Sequence, residues 1–172
     1  MARKYPVLTD ELASFIREQK IFFTATAPSA ADGRVNLSPK GYDTLRIFDP
    51  STVGYLDYPG SGNKTALHLA ENGRLTMMFC SFAERPLLLR LYGRGEVLER
   101  GGEKFRELGP AFGERFGPWV RQIILLHIEE VLTSCGEGVP FFTYQGERED
   151  LHRWAVDLEE KGKLEEYVAS HT

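Results

Sequence analysis

The first four strands that this sequence predicts are joined by connections too short to cross a sheet, and this spacing limits the possible folds. Residues 21–27 are rich in aromatic and β-branched side chains, and a turn with Pro and Gly separates them from a second run at 34–38. Residues 44–49 and 53–57 make a second pair across a turn that Pro50 favours. Parallel strands need a crossover of about a dozen residues or more. The sequence therefore predicts two antiparallel hairpins.

Three later segments add further strands. An apolar run at 75–82 and an alternating run at 87–98 have the period and composition of strands. Residues 120–132 suit either a buried strand or a helix, and we assign them to a strand because a barrel needs one more. Residues 101–117 mix helix formers with several glycines, which predicts a short helix and a loop.

Helices are predicted at both ends of the chain and after the turn that follows the fourth strand. Thr9 is a hydroxyl N-cap before two acidic residues, and helical spacing returns at Leu151. The 172 residues are the ordinary size of one domain, with an N-terminal helix at 1–20, a barrel of about six or seven antiparallel strands at 21–132, and a Gly-rich loop with C-terminal helices at 133–172. We expect a mainly β fold, a β-barrel with α additions.

The segment from Gly54 to Glu71 predicts a strand, a Gly-rich turn and a helix, an arrangement that suits an anion. Glycines let consecutive N–H groups point inward, the first helical turn has unpaired N–H groups, and Lys64 adds a charge. The segment is not a Walker loop, because Asn63 stands where a glycine must precede the lysine, and the third glycine of a Gly-x-Gly-x-x-Gly fingerprint is absent. A plain strand-to-helix turn capped by Ser or Asn stays an alternative.

Composition and charge argue against several classes of protein. The net charge is -4 and no run concentrates Lys and Arg, so we expect no nucleic-acid partner. Cys80 and Cys135 form neither a disulfide framework nor a Cys-x-x-Cys pair, and the four histidines lack the spacing of metal ligands. We therefore expect no metal and a reducing cytoplasm. No apolar run approaches the roughly 18 residues of a membrane span, so we expect no membrane segment.

Three motifs, taken in order, give the sequence a resemblance to a known family. Residues 34–41 are Arg-Val-Asn-Leu-Ser-Pro-Lys-Gly, residues 60–65 are Gly-Ser-Gly-Asn-Lys-Thr, and residues 88–95 are Leu-Leu-Arg-Leu-Tyr-Gly-Arg-Gly. Their order and spacing over residues 21–98 resemble the FMN-binding split barrels related to pyridoxamine 5'-phosphate oxidase, and residues 134–140 resemble one branch of that family. The resemblance implies a split barrel and a homodimer with FMN bound at the subunit interface.

The resemblance also implies which residues bind the cofactor. One set would lie along the flavin ring: Asn36, Leu37, Ser38, Pro39 and Lys40. A second set would bind the ribityl chain and the phosphate: Tyr58, Ser61, Gly62, Asn63, Lys64 and Thr65. Many relatives have Arg-Lys where this chain has Asn63-Lys64, so one phosphate charge is missing, and Arg90 or Arg94 is a candidate to supply it. Arg90 could instead be solvated or paired with a nearby glutamate. Cys135 is a further candidate contact.

The resemblance implies an FMN-binding flavoprotein, and we expect an oxidoreductase that acts on an unidentified small molecule. The chain lacks the C-terminal Arg-x-His substrate clamp of true pyridoxamine 5'-phosphate oxidases, which argues against vitamin B6 oxidation itself. Two alternatives stay open: a deazaflavin F420-dependent reductase, and a non-catalytic flavin-binding or storage module. The cofactor would carry the redox step, so no catalytic residue is predicted.

Overall fold

The computed structural model describes residues 2–171, and within them it contains eight strands and five α-helices. Residues 1 and 172, which bound the predicted domain, lie outside this range. The strands are β1 Arg3–Tyr5, β2 Phe22–Thr26, β3 Asn36–Lys40, β4 Leu45–Asp49, β5 Thr52–Asp57, β6 Arg74–Cys80, β7 Leu88–Glu99 and β8 Gln122–Ser134. The helices are α1 Asp10–Glu18, α2 Lys64–Asn72, α3 Glu103–Leu108, α4 Asp150–Glu160 and α5 Leu164–Ser170, with a 3₁₀ segment at Gly109–Arg115.

The strands form one antiparallel sheet in the order β3-β2-β6-β7-β8-β5-β4, and β1 pairs with the last part of β8. The two outermost strands, β3 and β4, are not paired with each other, so the sheet curves without closing. The predicted mainly β split barrel is confirmed, and so are both hairpins, the strand assigned to 120–132 and the C-terminal helices. The eighth strand, β1, was not predicted, because three residues are too few to show a period.

Helix α1 packs its apolar side against the main buried cluster of the sheet. Thr9 caps it as predicted, since its Oγ1 accepts a hydrogen bond of 3.3 Å from the N–H of Leu12. Phe15 and Ile16 belong to the same buried cluster as Phe22 of β2. Burial of this apolar stripe is the main stabilising contribution of an amphipathic helix.

A second apolar cluster lies at the far end of β5, β7 and β8. Phe105 of α3 and Phe112 of the 3₁₀ segment pack there against Leu56, Leu98 and Ile123 of the three strands. The helix and loop predicted for 101–117 are therefore confirmed, and they cover the outer side of the sheet.

The central strands β7 and β8 approach each other closely at a β-bulge. They pair along their whole lengths, but the register shifts after Tyr92 and leaves Glu129 without a partner in the pairing. A Cβ atom on Gly93 would lie 1.9 Å from the carbonyl oxygen of His127. The backbone of β8 therefore occupies the space that any larger residue at position 93 would need.

We predict that Gly93→Ala lowers the free energy of unfolding by about 1–3 kcal/mol, because the methyl group would have to push two paired strands apart. Urea unfolding followed by circular dichroism measures this. Gly138→Ala is the matched control, since a Cβ there meets nothing within 4 Å, and we expect a change of less than about 0.5 kcal/mol. Equal unfolding midpoints for the two variants would contradict the close approach.

The longest helix among residues 2–171 is α4, with 11 residues, and none of the helices described is long and apolar enough to cross a membrane.

Candidate functional site

A polar pocket of about 330 Å³ lies between β3, the end of β5 and the start of α2. It brings together most of the residues that the first two sequence motifs predicted. The lining residues are Asn36, Ser38, Lys40, Asp57, Ser61, Gly62, Asn63, Lys64, Thr65 and Arg121. Three of them are cationic and one is anionic, so the pocket carries an excess of positive charge.

Strand β3 supplies one wall through alternate residues. Asn36, Ser38 and Lys40 face the pocket, whereas Leu37 and Pro39 point to the opposite side and are exposed. Because β3 is an edge strand, only one of its two backbone edges is hydrogen-bonded to a neighbouring strand, β2. The outer backbone edge is free to pair with a ligand. The strand thus offers a row of polar side chains and unpaired backbone groups.

The start of α2 supplies the second wall. The Asn63 side chain does not cap the helix; its Oδ1 accepts a hydrogen bond of 2.8 Å from Gln122 instead. The N–H groups of the first turn therefore face the pocket without a side-chain cap, at the positive end of the helix dipole. Lys64 stands in this turn, is exposed, and has no ion-pair partner among the described residues. This end of the pocket suits an anion.

Asp57 is the buried centre of the site. Its carboxylate accepts hydrogen bonds from Lys40 Nζ at 2.8 Å, from Arg121 Nη2 at 2.6 Å and Nε at 3.2 Å, and from Gln122 Nε2 at 2.8 Å. The Asp57 and Arg121 side chains are only 4% and 5% exposed. Burial opposes ionisation of the carboxyl, but the charges of Lys40 and Arg121 outweigh it and hold the pKa of Asp57 below its usual value.

Arg121 also connects this carboxylate to the loop between β5 and α2. Its Nη1 donates to the carbonyl oxygen of Gly62 at 3.1 Å, while the backbone N–H of Arg121 donates to the carbonyl oxygen of Asp57. The guanidinium therefore fixes the Gly-rich loop to the sheet. A planar group with several donors in a fixed fork is suited to this task.

A hydrogen-bond network below the pocket joins β3 to α2. Asn36 Nδ2 donates to Thr65 Oγ1 at 3.1 Å and to Thr26 Oγ1 at 3.3 Å. Thr26 Oγ1 is in turn 3.0 Å from Nδ1 of the buried His68. Asn36 and Thr65 thus hold each other in the pocket wall, and Thr26 and His68, which do not line the pocket, support Asn36.

Three predicted contacts lie outside the pocket, besides the outward-facing Leu37 and Pro39. The Tyr58 hydroxyl donates to the carbonyl oxygen of Arg115. Arg90 donates to Ser134 on the neighbouring strand. Cys135 is exposed and lines a different pocket, beside β1.

Asp57, Arg121 and Gln122 were not predicted as site residues from the sequence. Asp57 ends a predicted strand, and Arg121 and Gln122 stand directly before the apolar run that forms β8. Polar residues at strand ends are common, so none of these three positions indicated a site by itself. The antiparallel pairing of β5 with β8, which places Asp57 opposite Gln122, is the signal that connects them.

We predict that Asp57→Asn lowers the free energy of unfolding by about 3–5 kcal/mol, because two cations lose their buried carboxylate. Asp157→Asn is the matched control: its ion pair with Lys161 is half exposed, and its loss should cost less than about 1 kcal/mol. Urea unfolding at neutral pH compares the variants. If Asp57→Asn lost no more stability than Asp157→Asn, the buried ion cluster would not be a major source of stability.

The contribution of the Asp57 carboxylate to stability should also depend on pH. Because folding lowers the pKa of Asp57, the ionised carboxylate contributes stability that is complete above the unfolded Asp pKa of about 4. The contribution is lost as the pH falls through the lower folded pKa. Below about pH 4 the wild type should therefore lose more stability than Asp57→Asn does over the same interval, as measured by urea unfolding across a pH series. Parallel curves for the two proteins would contradict the lowered pKa.

Comparison with known proteins identifies relatives of the chain. A family profile described as pyridoxamine 5'-phosphate oxidase matches residues 8–135. The pyridoxamine 5'-phosphate oxidase family protein ustO of Aspergillus flavus is 36% identical over 169 residues, which cover 95% of this chain and 67% of that protein.

Solved structures share the fold at lower identity. HupZ of group A Streptococcus is 25% identical with a TM-score of 0.58, over 72% of this chain and 91% of that one. HutZ, the heme storage protein of Vibrio cholerae, is 20% identical with a TM-score of 0.54, over 76% and 97% of the chains. An FMN-binding protein from Syntrophomonas wolfei is 16% identical with a TM-score of 0.51, over 69% and 79%.

Proposed function

Because the chain belongs to the pyridoxamine 5'-phosphate oxidase family, we propose that it is a flavoprotein that binds FMN in the pocket between β3 and α2. We further propose that it is an oxidoreductase, for which the bound flavin would supply the transfer of hydride or electrons. The observation that carries the proposal is the joining of two walls in one pocket, an edge strand with polar side chains and an uncapped helix start with a lysine.

The helix start fits a phosphate group in charge and in donors. The uncapped N–H groups of α2 and the Lys64 ammonium offer hydrogen bonds and positive charge. The hydroxyl groups of Ser61 and Thr65 line the same end of the pocket. Arg121 is close to this end, but its guanidinium is already bonded to Asp57, a carboxylate that Lys40 shares. Lys64 is therefore the cation at this end without an ion-pair partner among the described residues, and we expect it to bind the phosphate.

The β3 wall fits the polar groups of a flavin. Asn36 and Ser38 present hydrogen-bonding side chains along the pocket, and the unpaired backbone edge can bond the carbonyl and N–H groups of a planar ring. Lys40 stands at the far end, but its ammonium lies 2.8 Å from Asp57. We expect Lys40 to orient the ligand as part of that ion pair.

A homodimer is part of the proposal, and the outer face of the sheet supports it. Phe23, Met78 and Leu132 lie on this face and are only half buried, and Leu37 is 65% exposed. Half-exposed apolar side chains grouped on one sheet face, here with Arg90 between Met78 and Leu132, are typical of interaction sites. Because β3 carries pocket residues on one side and Leu37 on the other, a partner on this face would lie beside the pocket. Arg90 belongs to the same face, so it would reach a cofactor only across the interface.

Titration of the purified protein with FMN, followed by the change in flavin fluorescence, tests the proposal. We expect saturable binding of one FMN per chain. The absence of saturable binding would contradict the proposed function. The same titration with F420 distinguishes a deazaflavin protein, and addition of NADH or NADPH to the FMN complex distinguishes an oxidoreductase from a storage protein by the bleaching of the flavin absorbance.

We predict that Lys64→Ala weakens FMN binding by about 1.5–3 kcal/mol, the contribution of a hydrogen bond to a charged group, or roughly 10- to 150-fold in Kd. Lys4→Ala is the matched control, since Lys4 lies on β1 and pairs with Glu130 away from the pocket. Its FMN affinity should equal that of the wild type. An unchanged Kd for Lys64→Ala would remove Lys64 from the binding site.

A further inference from the structure

The two C-terminal helices lie beyond the part of the chain that the family profile matches, yet they contact the loop that leads into α2. The profile ends at residue 135, whereas α4 and α5 cover residues 150–170. The Tyr167 hydroxyl on α5 donates a hydrogen bond of 3.2 Å to the carbonyl oxygen of Gly60. A segment outside the shared profile therefore contacts the Gly-rich loop directly.

The position of this helix pair is fixed by contacts with the rest of the protein. Arg115 and Glu149 form two hydrogen bonds of 3.0 Å each, a paired geometry that restricts orientation. Arg100 and Glu159 form a second, partly buried ion pair. Ala155 of α4 is also fully buried. The helices therefore hold Tyr167 at a defined place relative to the loop.

The Tyr167 ring is itself held on two sides. It packs edge-on against Trp154, with ring centroids 5.0 Å apart, and it stacks on His171 at 4.0 Å. These contacts involve the ring and leave the hydroxyl to the Gly60 carbonyl. Removal of the hydroxyl oxygen alone would thus leave the ring packing in place.

The geometry of the peptide bond connects this contact to the pocket. A trans peptide is planar, with its carbonyl and N–H pointing in opposite directions, so a Gly60 carbonyl turned to Tyr167 directs the Ser61 N–H away from it. Ser61 lines the pocket, whereas Gly60 and Tyr167 do not. Gly60 has open space around it, and a glycine peptide can rotate easily. Without an external bond, this peptide would have more than one orientation.

We propose that Tyr167 is a positioning residue, which holds the Gly60–Ser61 peptide so that the Ser61 N–H donates to the phosphate group of the ligand. The inference rests on the proposed binding of FMN, and it makes the C-terminal helices part of phosphate recognition. Because the contact acts only through the phosphate end, its loss should distinguish FMN from riboflavin, which has the same ring and ribityl chain without the phosphate.

Titration of Tyr167→Phe with FMN and with riboflavin tests this. Loss of one properly oriented donor should raise the Kd for FMN about 2- to 12-fold, while the Kd for riboflavin stays unchanged. Tyr144→Phe is the matched control, because the Tyr144 hydroxyl bonds to Glu147 on an exposed segment. It should leave both affinities at their wild-type values.

Two results would overturn the role of Tyr167 while leaving FMN binding intact. One is an FMN affinity of Tyr167→Phe equal to that of the wild type. The other is an equal loss of affinity for FMN and riboflavin, which would indicate a general structural effect. Failure of the wild type to bind either flavin would instead contradict the proposed function, and the role of Tyr167 with it.

Discussion

The ion cluster around Asp57 holds together parts of the chain that are distant in sequence. A single buried carboxylate connects the ends of β3 and β5, the start of β8 and, through Arg121, the loop that leads into α2. A buried carboxylate is costly unless its charge is balanced and its lone pairs are used. Here two cations and an amide meet both conditions. The pocket therefore has its shape because the elements that form it share one electrostatic centre.

This arrangement divides the cations of the site by function. Lys40 and Arg121 share the single Asp57 carboxylate, so both are held as parts of the walls and their cluster keeps one net positive charge. Lys64 has no ion-pair partner within residues 2–171 and stands at the helix start, where its charge adds to that of the dipole. Two net positive charges therefore remain in the pocket, one on Lys64 at the helix start and one on the ion cluster. A polar, planar ligand that carries an anionic group fits this charge.

Local patterns in the sequence were sufficient for most elements and for part of the site. Hairpin spacing gave β2 to β5, and the Thr9 cap gave the start of α1, because these signals depend on neighbouring residues. The motifs at residues 34–41 and 60–65 predicted residues of both pocket walls. Asp57 and Arg121 were missed because they are 64 residues apart and meet only through the pairing of β5 with β8. The direction of single side chains was also not predicted from the sequence. Leu37 and Tyr58 point away from the pocket, although residues near them in the chain line it.

Strand β8 has a consequence for how the protein forms during synthesis. It pairs with β7 along its whole length, with β5 over its first half and with β1 near its end, and it is the last strand among the residues that the structure describes. The two N-terminal hairpins would be marginally stable alone. As the chain leaves the ribosome, β1 and β5 can pair with β8 only after residues 122–134 have been made. The nascent protein therefore stays incomplete, and without its ion cluster, until most of it has been made.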